Sequence, residues 1–160
     1  MGIEDYERKT GLIKGESAMI RFGSQLGKIF KGGDILFLHG DLGAGKTTLT
    51  RGFLQGRGHI GAVKSPTYTF VEHYSFEGTR IYHFDLYRLG DGEELEYMGI
   101  RDYFRDDAIC IIEWPEKAKG FLPKQDLDLV ISYEDEGQRR IMISARTKRG
   151  IQIFNQLDGL

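Results

Sequence analysis

The chain has 160 residues with 22 Lys+Arg, 24 Asp+Glu, one Cys and 40% hydrophobic residues, enough for one packed core without disulfides or structural metals. Cys110 has no intramolecular disulfide partner and no cysteine companions for a zinc site, which fits a reducing compartment. The formal net charge of -2 argues against the basic stripe of a non-specific nucleic-acid binder, and the longest apolar run, Ala108 to Ile112, falls far short of the ~20 residues of a membrane span.

Residues 1–15 are polar and turn-rich and read as a loosely held N-terminal arm without the apolar h-region of a signal peptide, so the expected location is cytoplasmic. From Glu16, the apolar positions Met19, Ile20, Phe22, Leu26, Ile29 and Phe30 recur at three and four, predicting a helix that ends at Gly32-Gly33. Ile35 to Leu38 is continuously apolar, the pattern of a strand covered on both faces, as in a parallel α/β sheet. A Gly-rich loop follows, then good helix formers from Lys46 to Gln55.

Beyond Pro66 the character changes. Tyr68 to Phe76 and Arg80 to Phe84, joined by Glu77-Gly78-Thr79, predict a hairpin. Gly92 to Met98 predicts a short acidic helix, continued by a helical turn over Ile100 to Phe104. Ile109 to Ile112 is a second doubly buried strand, ending at Glu113-Trp114-Pro115. Leu127 to Tyr133 and Arg140 to Ala145 predict a second hairpin, and Ile151 to Leu157 a terminal helix. With no repeat, linker or break in composition, residues 1–160 read as a single α/β domain, a mixed sheet flanked by helices with antiparallel hairpins, and the G-x-x-x-x-G-K-T pattern of Gly40 to Thr47 between buried strand and helix makes that sheet P-loop NTPase-like.

Gly40-Asp41-Leu42-Gly43-Ala44-Gly45-Lys46-Thr47 is a complete G-x-x-x-x-G-K-T loop between a buried strand and a helix, the context a P-loop requires. Its glycines let backbone N–H groups converge on phosphate oxygens, the helix N-terminus adds partial positive charge, and Lys46 adds a full one. Thr47 offers a hydroxyl to Mg²⁺, and Thr48 is either an α-phosphate contact or a plain helix residue.

Such a loop works with a carboxylate at the end of a neighbouring strand. Glu113 closes four apolar residues and is assigned to Mg²⁺, with a solvated strand end as the alternative. Asp85 follows the more alternating, less buried Ile81-Tyr82-His83-Phe84 and reads as a water-orienting carboxylate, or as a structural partner of Arg88. Ser65-Pro66-Thr67 stands where nucleotide-sensing switch segments sit, and the proline holds its neighbours extended. An ordinary loop is the competing reading. Trp114 reads as packing or as a stacking surface. His39, His59, His73 and His83 show no ligand spacing and read as structural or surface residues.

Taken together, Gly40 to Thr47, Ser65-Pro66-Thr67-Tyr68, His83-Phe84-Asp85-Leu86-Tyr87-Arg88 and Ile112-Glu113-Trp114-Pro115, in this order, resemble the TsaE (YjeE) family of bacterial P-loop ATPases of tRNA threonylcarbamoyladenosine synthesis. The resemblance spans Glu16 to Pro123, and its H-x-D-x-Y-R and E-W elements are more specific than the P-loop. It implies an ATPase, weak alone, working with TsaB and TsaD, the latter transferring threonylcarbamoyl to the adenosine beside the anticodon. It puts ATP or ADP on Asp41, Leu42, Gly43, Ala44, Gly45, Lys46, Thr47 and Thr48, Mg²⁺ on Thr47 and Glu113, and the essential aspartate at Asp85. It also implies an adenine pocket near Lys14 and Glu16, and tRNA reached through the partners.

Other readings of the P-loop remain at this stage. A GTPase wants N/T-K-x-D, and Thr147-Lys148-Arg149-Gly150 lacks the Asp. A small kinase wants an Arg-rich lid, which no segment supplies. A nucleotide-gated binding module without turnover needs only the residues named above.

Overall fold

The computed structural model describes residues 7–157. Seven strands form one sheet in the order β1-β7-β6-β2-β5-β4-β3. They are β1 (Glu7–Lys14), β2 (Ile35–His39), β3 (Val71–Phe76), β4 (Thr79–Asp85), β5 (Ala108–Glu113), β6 (Leu127–Tyr133) and β7 (Gln138–Ala145). At the centre, β2 runs parallel to both β5 and β6, and β4 runs parallel to β5. The hairpins β3–β4 and β6–β7 add the antiparallel pairings expected of the mixed sheet. The two continuously apolar segments are the central strands, where both faces are covered.

One face carries α1 (Glu16–Ile29), α2 (Lys46–Gly56) and α4 (Lys148–Gln156), which bury Leu26, Leu49, Phe53 and Ile153 against Leu36, Ile109, Ile111 and Leu129. The other face packs Phe37, Phe84, Cys110 and Ile112 under the short helix α3 (Glu93–Tyr97) and the 3-10 turn Ile100–Tyr103.

Helices α1 and α2 approach through paired glycines. Gly23 and Gly27 of α1 face the carbonyl oxygens of Leu49 and Phe53, while Gly52 and Gly56 of α2 face those of Ile20 and Ser24. A Cβ at any of the four would sit inside van der Waals distance of that oxygen. Spaced four apart, the glycines form one stripe on each helix. The P-loop helix therefore lies closer to α1 than side chains would allow.

Several segments differ from their sequence expectation. Residues 7–14, expected within a loose arm, are an edge strand whose backbone pairs antiparallel with β7 from Glu7–Ala145 to Lys14–Gln138. Residues 1–6 of that arm lie outside the described residues. The expected β3 start at Tyr68 gives way to a turn, in which Phe70 N–H donates to the Pro66 carbonyl and Phe70 takes φ 67°, so the strand begins at Val71. Helix α1 stops at Ile29 because Phe30 turns extended, before Gly32-Gly33. The terminal helix starts at Lys148, earlier than Ile151, because Thr147 caps it by accepting from Gly150 N–H at 2.9 Å. Thr147 thus serves a helix end. The alternating β4 is buried throughout Ile81–Asp85, with His83 bonded to Glu113 and Asp85 accepting from Tyr87 N–H and Thr67.

Candidate nucleotide site

The site forms at the C-terminal ends of the parallel strands, where open α/β sheets bind ligands. The chain leaves β2 at His39 and re-enters helix at Lys46, turning through Gly43 (φ 80°) and Gly45 (φ 119°), left-handed conformations that a side chain would strain. Ala44 N–H donates to the Asp41 carbonyl at 3.1 Å, closing the loop around the first turn of α2. The eleven-residue α2 directs its N-terminus, whose first N–H groups have no partner within the helix, at this opening.

Lys46 lies inside the loop and is only 5% exposed. Its Nζ donates to the Gly40 carbonyl at 2.5 Å, lies 3.9 Å from Glu113 Oε1 and sits 4.1 Å from the centroid of the Trp114 ring. Burial lowers the Lys46 pKa below the ordinary lysine value, while the nearby carboxylates of Glu113 and Asp85 oppose that shift. Trp114 adopts φ 57° between β5 and the 3-10 turn Pro115–Ala118, which turns its ring under the ammonium.

The two carboxylates meet through sheet register. Asp85 pairs with Glu113 across β4 and β5, so both strand ends reach the loop together. Asp85 accepts from Tyr87 N–H at 3.0 Å and from Thr67 Oγ1 at 3.3 Å, and Thr67 Oγ1 lies 2.8 Å from Ser65 Oγ. The expected switch residues are therefore wired to the aspartate. Arg88, the alternative structural partner of Asp85, instead lies over Tyr68 and donates to its hydroxyl at 3.2 Å.

A cavity of about 230 Å³ gathers Lys46, Thr47, Thr48, Asp85, Glu113 and Trp114 with Leu42, Gly43, Gly45, Ser65 and Thr67. A second, of about 270 Å³, shares Gly43, Gly45 and Thr48 with it and adds Ala44, Glu16, Met19 and Arg139. Asp41 lines neither cavity and helps through its backbone bond to Ala44. Lys14 lies at the end of β1 opposite Gln138 and also lines neither, while Glu16 borders the second cavity with its carboxylate paired to Arg51. A roomier cavity of about 720 Å³ beside Phe37, His39 and Asp128 contains none of the expected site residues. The smaller pair flanks the loop and fits the chemistry.

The donor set suits a phosphate-bound cation. Among the described residues no three His, Cys, Asp or Glu side chains cluster to hold an ion by themselves. A cation beside Thr47 and Glu113 would complete its oxygen shell from phosphates and water, the habit of Mg²⁺.

Sequence reasoning passed over two contributors. His83, 1% exposed, bonds through Nε2 to Glu113 Oε2 at 2.5 Å. Its signal was the H-x-D spacing on one strand, which puts His83 and Asp85 on the same face. Arg139 on β7 donates from Nε to the Ala44 carbonyl at 2.9 Å and lies over Tyr133, whose hydroxyl reaches the Leu42 carbonyl at 3.4 Å. No local motif marks that hairpin, because its link to the loop spans most of the chain.

The family model described as "Threonylcarbamoyl adenosine biosynthesis protein TsaE" matches residues 13–141. A "tRNA threonylcarbamoyladenosine biosynthesis protein TsaE" from Haemophilus influenzae is 53% identical, covering 93% of this chain and 97% of the relative. The protein of the same description from Bacillus subtilis is 41% identical over 79% of each chain. The crystal structure of Bacillus subtilis YdiB superposes with a TM-score of 0.81 at 28% identity, covering 94% of this chain and 93% of that one. With the family model and relatives matching, and the P-loop, Asp85 of the H-x-D-x-Y-R segment and the E-W turn meeting at one site, the chain belongs to the TsaE family.

Proposed function

We propose that the chain binds ATP with Mg²⁺ at the P-loop and hydrolyses it in support of threonylcarbamoyl modification of the adenosine beside the anticodon of tRNA. The observation that carries this reading is the single cavity shared by Lys46, Thr47, Asp85 and Glu113. The names of the relatives support the pathway, and the cavity supports the nucleotide.

Lys46 and the loop N–H groups hold the phosphates, Thr47 and Glu113 hold the cation, and Asp85 orients water. Mg²⁺, when bound, supplies charge neutralisation across the phosphate oxygens. Because Asp85 also accepts from Thr67, the state of the phosphates reaches the Ser65-Pro66-Thr67 segment, which reports it to TsaB- and TsaD-like partners. The tRNA is engaged through that assembly.

Phosphate release from ATP, measured with the chain alone and with TsaB- and TsaD-like proteins added, tests the reading. Slow release alone that rises with partners is expected. Absence of release in every combination, with nucleotide still bound, would favour a nucleotide-gated binding module.

A further inference from the structure

The two carboxylate oxygens of Glu113 have different surroundings. Oε1 lies 3.9 Å from Lys46 Nζ, at the cavity, and Oε2 accepts from His83 Nε2 at 2.5 Å. His83 and Glu113 are 1% and 4% exposed, so water does not compete for this bond. The carboxylate acceptor places a proton on Nε2, an assignment drawn from the hydrogen-bond network. The other ring nitrogen, Nδ1, is buried with no hydrogen-bond partner among the described residues. An unpaired buried nitrogen is a standing cost that an apolar side chain of similar volume would not carry. Packing alone therefore gives no reason for a histidine here.

The strand geometry separates His83 from the reacting groups. It stands two residues before Asp85 on β4, and Asp85 pairs with Glu113 in the parallel register. His83 is thus one pleat behind both carboxylates, and it does not line the cavity.

We propose that His83 is the positioning residue of Glu113, pinning Oε2 so that Oε1 alone faces the cation and the phosphates. Without that donor the carboxylate is free to turn onto the Lys46 ammonium, and the two charges the nucleotide needs quench each other. The bond keeps Glu113 and Lys46 near each other but apart. This inference rests on the reading of Glu113 as a Mg²⁺ ligand.

The test measures affinity for a non-hydrolysable ATP analogue with Mg²⁺ and with EDTA, in wild type and in His83→Leu, His83→Gln and His83→Asn, alongside thermal melts. The glutamine amide nitrogen reaches the place of Nε2, and the asparagine nitrogen only that of Nδ1. In His83→Leu and His83→Asn the Mg²⁺-dependent gain in affinity is expected to shrink about tenfold or more, while His83→Gln keeps it within about threefold. Should His83→Leu fail to fold, the glutamine and asparagine variants decide, since a merely structural role would not separate them by metal dependence. A folded His83→Leu with the wild-type gain, or equal gains in the glutamine and asparagine variants, overturns the inference alone. A wild-type affinity indifferent to Mg²⁺ overturns the reading of Glu113 and this inference with it.

Discussion

Lys46 Nζ donates to the Gly40 carbonyl at 2.5 Å while sitting 4.1 Å from the centroid of the Trp114 ring, so the loop's charge is held by its own first residue and by an aromatic face. A phosphate entering the loop must take the ammonium from both. Trp114 also packs against Tyr87, with ring centroids 5.0 Å apart.

Trp114 is the single tryptophan of the chain, which makes its fluorescence a local reporter. Adding ADP to the wild type is expected to change the emission as Lys46 turns toward the phosphates, and Lys46→Ala is expected to remove that change. Emission that stays constant at saturating ADP would show that the ammonium never leaves the ring.

The carboxylates should separate by readout. Under the proposed role of Glu113 as a cation ligand, Glu113→Ala is expected to weaken Mg²⁺-dependent analogue binding about tenfold or more. Asp85→Ala is expected to lower hydrolysis on the order of 10²-fold while leaving ADP affinity within about threefold. Titrations and single-turnover rates on both variants check this, and the opposite pattern would exchange their roles.

The glycine stripe between α1 and α2 predicts a stability effect remote from any ligand. Gly27→Ala or Gly52→Ala drives a methyl into a backbone oxygen, and over-packing of this kind costs about 1–3 kcal/mol or more. In a chain of this size each kcal/mol lowers Tm by roughly 2–4 °C. A melting curve unchanged in either variant would mean that the helices part without penalty.

Cys110 lies in the central strand β5, and burial pushes its thiol up to about 12. At pH 8 only about one such thiol in ten thousand is ionised in place. Labelling by a thiol reagent is therefore expected to follow global unfolding, with a rate that rises with denaturant. Rapid labelling of the native protein would reveal local opening of β5.

The sequence displayed its centre more clearly than its margins, for physical reasons. Ile35–Leu38 and Ile109–Ile112 are apolar on both faces because helices and turns cover both, and a local window records that. Glu7–Lys14 is an edge strand held by backbone bonds to β7, so polar residues serve there and mimic a loose arm. His83, in an alternating strand, read only as a structural or surface residue. It is buried because Glu113, 30 residues away, supplies its partner across the sheet. Arg139 and Tyr133 brace the loop from 95 and 91 residues away. Pattern within a segment shows periodicity, and register between segments decides such partners.

Nucleotide capture by the loop around Lys46 is the central claim, and calorimetric titration of Mg²⁺ and ADP into wild type and Lys46→Ala tests it most directly. Wild type is expected to bind one nucleotide per chain, and the variant, folded by its melting curve, to lose affinity by about 10²-fold or more, equivalent to about 2.7 kcal/mol. Equal affinity in the two proteins would contradict the assignment of the phosphate site.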